Sequence, residues 1–183
     1  SRIGADQRSI SVDNFGGGVT AVAHLRAQSC QRLAHISGPS RNFEAQERRR
    51  GFLSMFDGAM PPLYEGDFTE ESGYRGAKAL LALDEKPDGI FAANDMMAVG
   101  CLLALREAGV RVPEDIAVVG FDDIPIARFT SPPLTTLRVG IFDLGRRGLE
   151  MLVAALEGDE TTGEGIIVAP ELVMRDSSRH KSG

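Results

Sequence analysis

Short, unbroken apolar runs alternate along this chain with stretches in which apolar residues return every three or four positions, and the alternation persists almost to the end. Ile10 to Val12 reads as the end of a strand. Gly16, Gly17 and Gly18 follow, opening a helix with Val19, Val22, Ala23 and Ala27 on one face. Leu33 to Ser37 is the next strand, closed by Gly38 and Pro39. A helix is predicted from about Glu44 to Ala59, with Ala45, Phe52, Met55, Phe56 and Ala59 on one stripe and Pro61 and Pro62 ending it. Leu63 to Gly66 is a short strand, and Asp67 to Ser72 holds capping residues for a helix that carries Tyr74, Ala77, Leu80 and Leu81.

The next stretch is the clearest strand–helix–strand unit: Gly89 to Ala93 as a buried strand, a turn at Asn94 and Asp95, and an apolar helix from Met96 to Ala108 stopped by Gly109. Ile116 to Gly120 is a second buried strand, running into Phe121, Asp122 and Asp123. Strands apolar on both faces and joined by helices imply a parallel sheet covered on both sides, so the predicted class is an α/β three-layer sandwich. Leu134 to Val139 is extended, Phe142 to Leu156 helical, and Ile166 to Val168 and Glu171 to Met174 are closing strands around Pro170; Arg175 to Gly183 is a polar tail expected to fray.

At 183 residues the chain suffices for one domain, or for one lobe and part of a second. It is 43% hydrophobic and 25% charged, the composition of a protein with a packed core. Twenty basic residues stand against 26 acidic ones, a net charge of -6, so the phosphate-backbone attraction of a DNA-binding surface is missing. No apolar run reaches the ~20 residues of a membrane span, and Ser1 to Asp6 lacks the apolar centre of a signal peptide; a cytoplasmic protein without membrane contact is expected. Cys30 and Cys101 read as reduced and structural.

Enzyme chemistry finds little support. The glycine run at Gly16 to Gly18 lacks the offsets of a phosphate-cradling loop, and neither a nucleophile elbow nor metal-ligand spacing occurs. His24, His35 and His180 are scattered, and His35, inside a strand, reads as a hydrogen-bonded structural histidine. No catalytic residue, metal or cofactor is expected.

In an open parallel sheet, ligands sit beyond the carboxyl ends of the strands, which singles out polar residues there. Asn94 can donate and accept at once, as paired sugar hydroxyls require, or can cap the following helix. Asp122 can accept from adjacent hydroxyls or a base N–H, or can form a turn with Asp123. Arg48 lies in a run of three arginines on one helix, which point about 100° apart and so cannot all face one site. Phe68, at a strand-to-helix turn, can stack on a ring or pack into the core. The fork, the amide and the carboxylate together suit a sugar or polyol better than a purine or nucleoside.

Taken in order, Val12-Asp13-Asn14-Phe15-Gly16-Gly17-Gly18, Ile36-Ser37-Gly38-Pro39, Arg48-x-x-Gly51-Phe52, Gly66-Asp67-Phe68, Ser72-Gly73-Tyr74, Ala93-Asn94-Asp95-x-Met97-Ala98, Arg111-Val112-Pro113, Val119-Gly120-Phe121-Asp122-Asp123, Pro132-Pro133-Leu134-Thr135-Thr136 and Leu172-Val173-x-Arg175 form a set. From about Ile10 to Ser177 the chain resembles the regulatory core of the lactose-repressor (LacI) family, its purine and lactose repressors in particular. That resemblance implies a type I periplasmic-binding-protein-like fold, with effector contacts falling on Arg48, Phe68, Asn94 and Asp122, and with Asn42 and Phe15 near further contact positions where members differ. Ser29-Cys30 departs from the usual Gly-His.

The resemblance further implies a fragment. On it, 1–29 would be a remnant of the N-terminal lobe, 30–138 and 165–177 a nearly complete C-terminal lobe, 140–160 a segment of the partial N-terminal lobe and 178–183 a tail, with the helix-turn-helix absent. The expected function is small-molecule sensing for a transcriptional regulator that acts as a homodimer and meets DNA only through that absent domain. The rivals are a periplasmic sugar-binding protein of a transporter and, less favoured, an α/β enzyme using Asp122 or Asp95. Self-association is expected through the apolar helix Met96 to Ala108.

Overall fold

The computed structural model describes residues 9–156 and 165–178; the first eight residues, His180 and the end of the tail lie outside it. Its main body is a six-stranded sheet. Strands β1 (Ile10–Val12), β2 (Leu33–Ser37), β3 (Leu63–Glu65), β4 (Gly89–Ala92), β5 (Ala117–Asp122), β6 (Thr135–Arg138), β7 (Ile166–Val168) and β8 (Glu171–Val173) occur in that order along the chain. The large sheet runs β3-β2-β4-β5-β6-β8, parallel except for β8, while β1 and β7 pair by themselves.

Helices α1 (Asn14–Ala27) and α2 (Phe43–Leu53) cover one face, and α3 (Glu70–Leu81) and α4 (Asp95–Glu107) the other. The strands are apolar throughout because both faces are covered: Phe91 and Val119 point to α1 and α2, whereas Ile90 and Val118 point to α3 and α4. The result is the three-layer α/β sandwich expected, with one antiparallel edge strand.

Ala21, Val22 and Leu25 of α1 share one buried cluster with Phe52, Phe91 and Leu137. Three details differ from the sequence reading. The stretch from Arg175 to Ser178, expected to fray, is bonded into the large sheet, with Ser177 and Ser178 fully buried. Helix α2 ends at Leu53, not Ala59. Ser54 Oγ donates to the Gly51 carbonyl, and Phe56 reaches Phe52 at 5.1 Å between ring centroids from beyond the last turn, so the apolar stripe continues where the helix does not. Strand β5 extends to Asp122 because its ladder with β6 continues through Phe121↔Leu137 and Asp122↔Arg138.

Helix α5 (Ile141–Leu156) packs on β1, and β1–β7 with α5 forms a small second unit. The chain passes between the two units before α1, at Val139–Gly140 and at Ala169–Pro170. The last stretch is stitched into the large sheet: Val118 N donates to the Ser177 carbonyl at 2.8 Å, Ser177 Oγ to the Val118 carbonyl at 2.6 Å and Ser177 N to the Pro133 carbonyl at 2.9 Å. His35 donates from Nδ1 to the Phe91 carbonyl at 2.8 Å and is in stacked contact with both Phe52 and Phe91; Cys30 and Cys101 are buried and form no disulfide. No helix of the described residues is long and apolar enough to cross a membrane.

Candidate effector-binding site

The carboxyl ends of the parallel strands converge on one edge, and four of the singled-out residues meet there. Asn42 follows β2, Phe68 follows β3, Asn94 follows β4 and Asp122 ends β5. Arg48 comes from the middle of α2, and its placement depends on how closely α2 approaches α1. Gly18 faces the Arg48 carbonyl and Gly51 faces the Phe15 carbonyl so tightly that a Cβ at either position would strike main chain. This approach brings Asn14, at the start of α1, to the Arg48 side chain.

Arg48 is buried, with 6% of its surface exposed. Its Nε donates to Asn14 Oδ1 at 2.7 Å and its Nη1 to the Ala93 carbonyl at 2.5 Å, and the guanidinium lies 3.7 Å from the centre of the Phe121 ring. Nη2 stands 3.8 Å from Asp122 Oδ1, an ion pair without a hydrogen bond. Burial pushes the Asp122 carboxyl up to about 6 against the pull of Arg48, with Glu44 adding to the rise. Burial also lowers Arg48, although Asp122 and Glu44 oppose it. Arg48 is almost enclosed, whereas the Asp122 side chain keeps 31% of its surface exposed and, among the described residues, makes no side-chain hydrogen bond.

Asn94 is the N-cap of α4: its Oδ1 accepts from Met97 N at 2.9 Å, and its Nδ2 donates to the Phe68 carbonyl at 3.1 Å. The cap occupies one lone pair and one N–H, and an amide has two of each. Phe68 adopts φ +70° and is half-buried, one ring edge against Gly38. Its strained backbone turns the carbonyl to Asn94 while part of the ring stays open.

Arg48, Asp122, Asn94 and Phe68 are thus joined through Ala93 and the Phe68 carbonyl. Asn42 caps α2 by accepting from Ala45 N at 2.8 Å, and Phe15 lies under the Arg50 guanidinium at 5.2 Å; among the described residues neither is hydrogen-bonded to the other four. Of the adjacent arginines, Arg50 turns outward to Glu47, as three successive helical positions require.

Sequence reasoning missed Asn14, Phe121 and the residues that set the β5–β6 turn. Asp95 is fully buried; its Oδ2 accepts from Ile124 N at 2.9 Å and its Oδ1 from Thr136 Oγ1 at 2.5 Å. Burial drives Asp95 up to about 7, opposed by those two hydrogen bonds. So enclosed a carboxyl joins strands and does not face a substrate. The only available signal for Asn14 was its place one residue after a strand-end Asp, at the start of the glycine-rich helix.

The pattern of the family described as "Periplasmic binding protein-like domain" matches residues 22–178. The chain is 34% identical over 180 residues to the HTH-type transcriptional repressor PurR of Mannheimia succiniciproducens, covering 96% of this chain and 54% of that protein. Among solved structures, the transcriptional regulator CelR in complex with cellobiose superposes with a TM-score of 0.86 at 32% identity, over 96% of this chain and 56% of CelR. The lac repressor dimer bound to operator and the anti-inducer ONPF superposes with a TM-score of 0.86 at 30% identity, over 93% of this chain and 52% of that one. The chain spans about half the length of the curated relatives it matches. With one family pattern running from α1 to the stitched final segment, this chain belongs to the periplasmic-binding-protein-like domain family, and over nearly all of its length it is similar to the cores of LacI-family repressors.

Proposed function

We propose that this chain senses a sugar or related polyol for a transcriptional regulator, with Arg48, Asn94 and Asp122 bonding its hydroxyls and Phe68 covering one face of its ring. The observation that carries this reading is the Arg48–Asp122 pair: two oppositely charged groups 3.8 Å apart at the sheet's carboxyl edge, the arginine buried and the carboxylate part-exposed and open to further hydrogen bonds. Vicinal hydroxyls can accept from the arginine and donate to the carboxylate. Asn42 and Phe15 would lie at the margin. CelR, a structural neighbour, was solved with cellobiose, which supports the sugar reading. A purine or nucleoside is the competing effector, which could use the half-buried ring of Phe68 and the Asp122 carboxylate.

On this reading the six-stranded unit with α1 is one lobe, and β1, β7 and α5 belong to a second lobe that the parent protein completes. Effector held between the lobes shifts their relative orientation, and a separate helix-turn-helix domain reads DNA in the cytoplasm. The protein acts without catalysis. It pairs with a second copy through the hollow between α4 and the turn at Pro125–Arg128, where Leu103, Ile126 and Phe129 stand exposed. Most apolar residues of α4, Met97, Leu102 and Leu105 among them, face inward, so the contact rests on the turn as much as on the helix.

The test is calorimetric titration with a panel of sugars and nucleosides against the wild type and the variants Arg48→Ala, Arg49→Ala and Asp122→Ala. Loss of a buried charged partner should weaken binding by more than about tenfold at Arg48 and Asp122, and little at Arg49. Equal affinities for Arg48→Ala and Arg49→Ala would reject the site, and a purine outcompeting every sugar would reject the effector class.

A further inference from the structure

The end of β5 holds two successive non-glycine residues with left-handed backbone, Asp122 at φ +111° and Asp123 at φ +55°. The second value is one that aspartate tolerates; the first is rarely adopted by any residue with a side chain and persists only where its surroundings enforce it. On the upstream side the enforcement is the ladder of β5 with β6. On the downstream side it is Asp123, whose side chain is 3% exposed and pairs with two arginines other than Arg48. Its Oδ2 accepts from Arg138 Nε at 2.7 Å and its Oδ1 from Arg175 Nη2 at 2.5 Å. Arg175 is itself fixed, donating from Nη1 to the Leu134 carbonyl and from its main-chain N to Thr135 Oγ1, both at 2.8 Å. One residue later, Ile124 N is held by Asp95.

We propose that Asp123 is a positioning residue for effector recognition: by gripping Arg138 and Arg175 it locks the strained backbone of Asp122 and so sets where the Asp122 carboxylate stands relative to Arg48. Arg138 also stands just before Val139, one of the places where the chain passes between the sheets. The clamp therefore connects the effector-facing carboxylate to one of the segments that join the two units. Burial alone would raise the Asp123 carboxyl, but Arg175 and Arg138 together hold it below the ordinary aspartate value, so the clamp stays charged wherever the protein is folded near neutral pH. The role in recognition rests on reading Asp122 as an effector contact; the role in holding Asp122 does not.

The experiment separates these two claims. Carbon-detected NMR of the full chain with labelled aspartate follows the titration of the Asp122 carboxyl in the wild type, in Asp123→Asn and in Arg138→Met, which removes one of the two grips and is the milder variant if Asp123→Asn folds poorly. Freed from the clamp, Asp122 should relax toward solvent, and its midpoint should fall toward the ordinary aspartate value by about one pH unit in Asp123→Asn and in the same direction, by less, in Arg138→Met. Calorimetry with cellobiose, lactose and ribose then measures affinity for the same variants and for Asp122→Asn alone and combined with Asp123→Asn. Asp123→Asn should cost about tenfold in affinity when Asp122 is present and no more than about twofold when Asp122 is already replaced. An unmoved Asp122 midpoint, or the same loss of affinity in both backgrounds, would overturn the positioning role. If none of the three sugars binds the wild type, the sugar reading fails while the NMR titration still decides whether Asp123 holds Asp122.

Discussion

Arg48 Nε donates to Asn14 Oδ1 at 2.7 Å, and this bond orients the guanidinium so that its other edge reaches the Ala93 carbonyl and Asp122. Asn14→Ala leaves a buried, charged donor without a partner and should destabilise the fold by about 1–3 kcal/mol. Arg48→Ala, which strands Asn14 and Asp122 together, should cost about 3–5 kcal/mol. Because the two side chains act on one bond, the double variant should fall well short of the sum. Urea denaturation of the three variants checks this, and strict additivity would show that the two act independently.

The close approach of α1 and α2 makes a second prediction, with an internal control. Gly51→Ala places a Cβ against the Phe15 carbonyl and must push the helices apart, at a cost of about 1–3 kcal/mol or more. Gly145→Ala, in α5, meets nothing and should stabilise that helix by about 0.5–1 kcal/mol. Thermal melting of the two alanine variants should move in opposite directions, and the Gly51 variant should also lose effector affinity because Arg48 rides on α2.

His35 predicts the acid limb of stability. The ring is fully buried with Nε2 unpartnered, and burial, reinforced by Arg49 and Arg48 and opposed by the bond to Phe91, lowers its pKa from 6.5 to about 4. The folded value lies below the unfolded one, so between those pH values the unfolded chain binds a proton that the folded chain refuses. His35 therefore contributes a fall in stability as pH drops through that window, by up to about 1.4 kcal/mol per pH unit, against the opposite slope of the raised Asp95 and Asp122 carboxyls. His35→Leu should remove this contribution, so the variant gains stability relative to the wild type as the pH is lowered. An identical pH profile in the variant, measured by denaturant unfolding between pH 4 and 7, would show that other groups dominate.

Phe129 is 78% exposed beside Ile126 and Leu103. If this patch is the surface that pairs with a second copy, Phe129→Glu places a charge at the centre of an apolar contact and should weaken self-association by at least tenfold, about 1.4 kcal/mol, with no loss of fold stability. Sedimentation equilibrium of the wild type and the variant decides it; the patch is not the contact if both show the same monomer–dimer distribution.

The layers of the fold were legible because strands such as Gly89–Ala92 and Ala117–Phe121 are apolar at every position, a pattern that only a doubly covered sheet explains. The end of α2 was not, because Phe56 continues the helical spacing while packing from a turn. In the site, Asn94 and Asp122 could be picked out because strand ends are visible in sequence. Asn14 and Arg175 could not: their partners Arg48 and Asp123 lie 34 and 52 positions away, and nothing local announces such a pairing. The alternatives posed for Asn94 also proved compatible, since an amide can cap a helix and keep one donor and one acceptor lone pair in hand.

The stitching of Ser177 across Val118 and Pro133, with β8 along the outer side of β6, makes the final residues a seal on the sheet. A chain cut after Arg138 would leave the outer edge of β6 with free N–H and C=O groups for any other strand to pair with. Such a truncation should therefore turn a folding protein into an aggregating one, although it removes no residue of the Arg48 cluster.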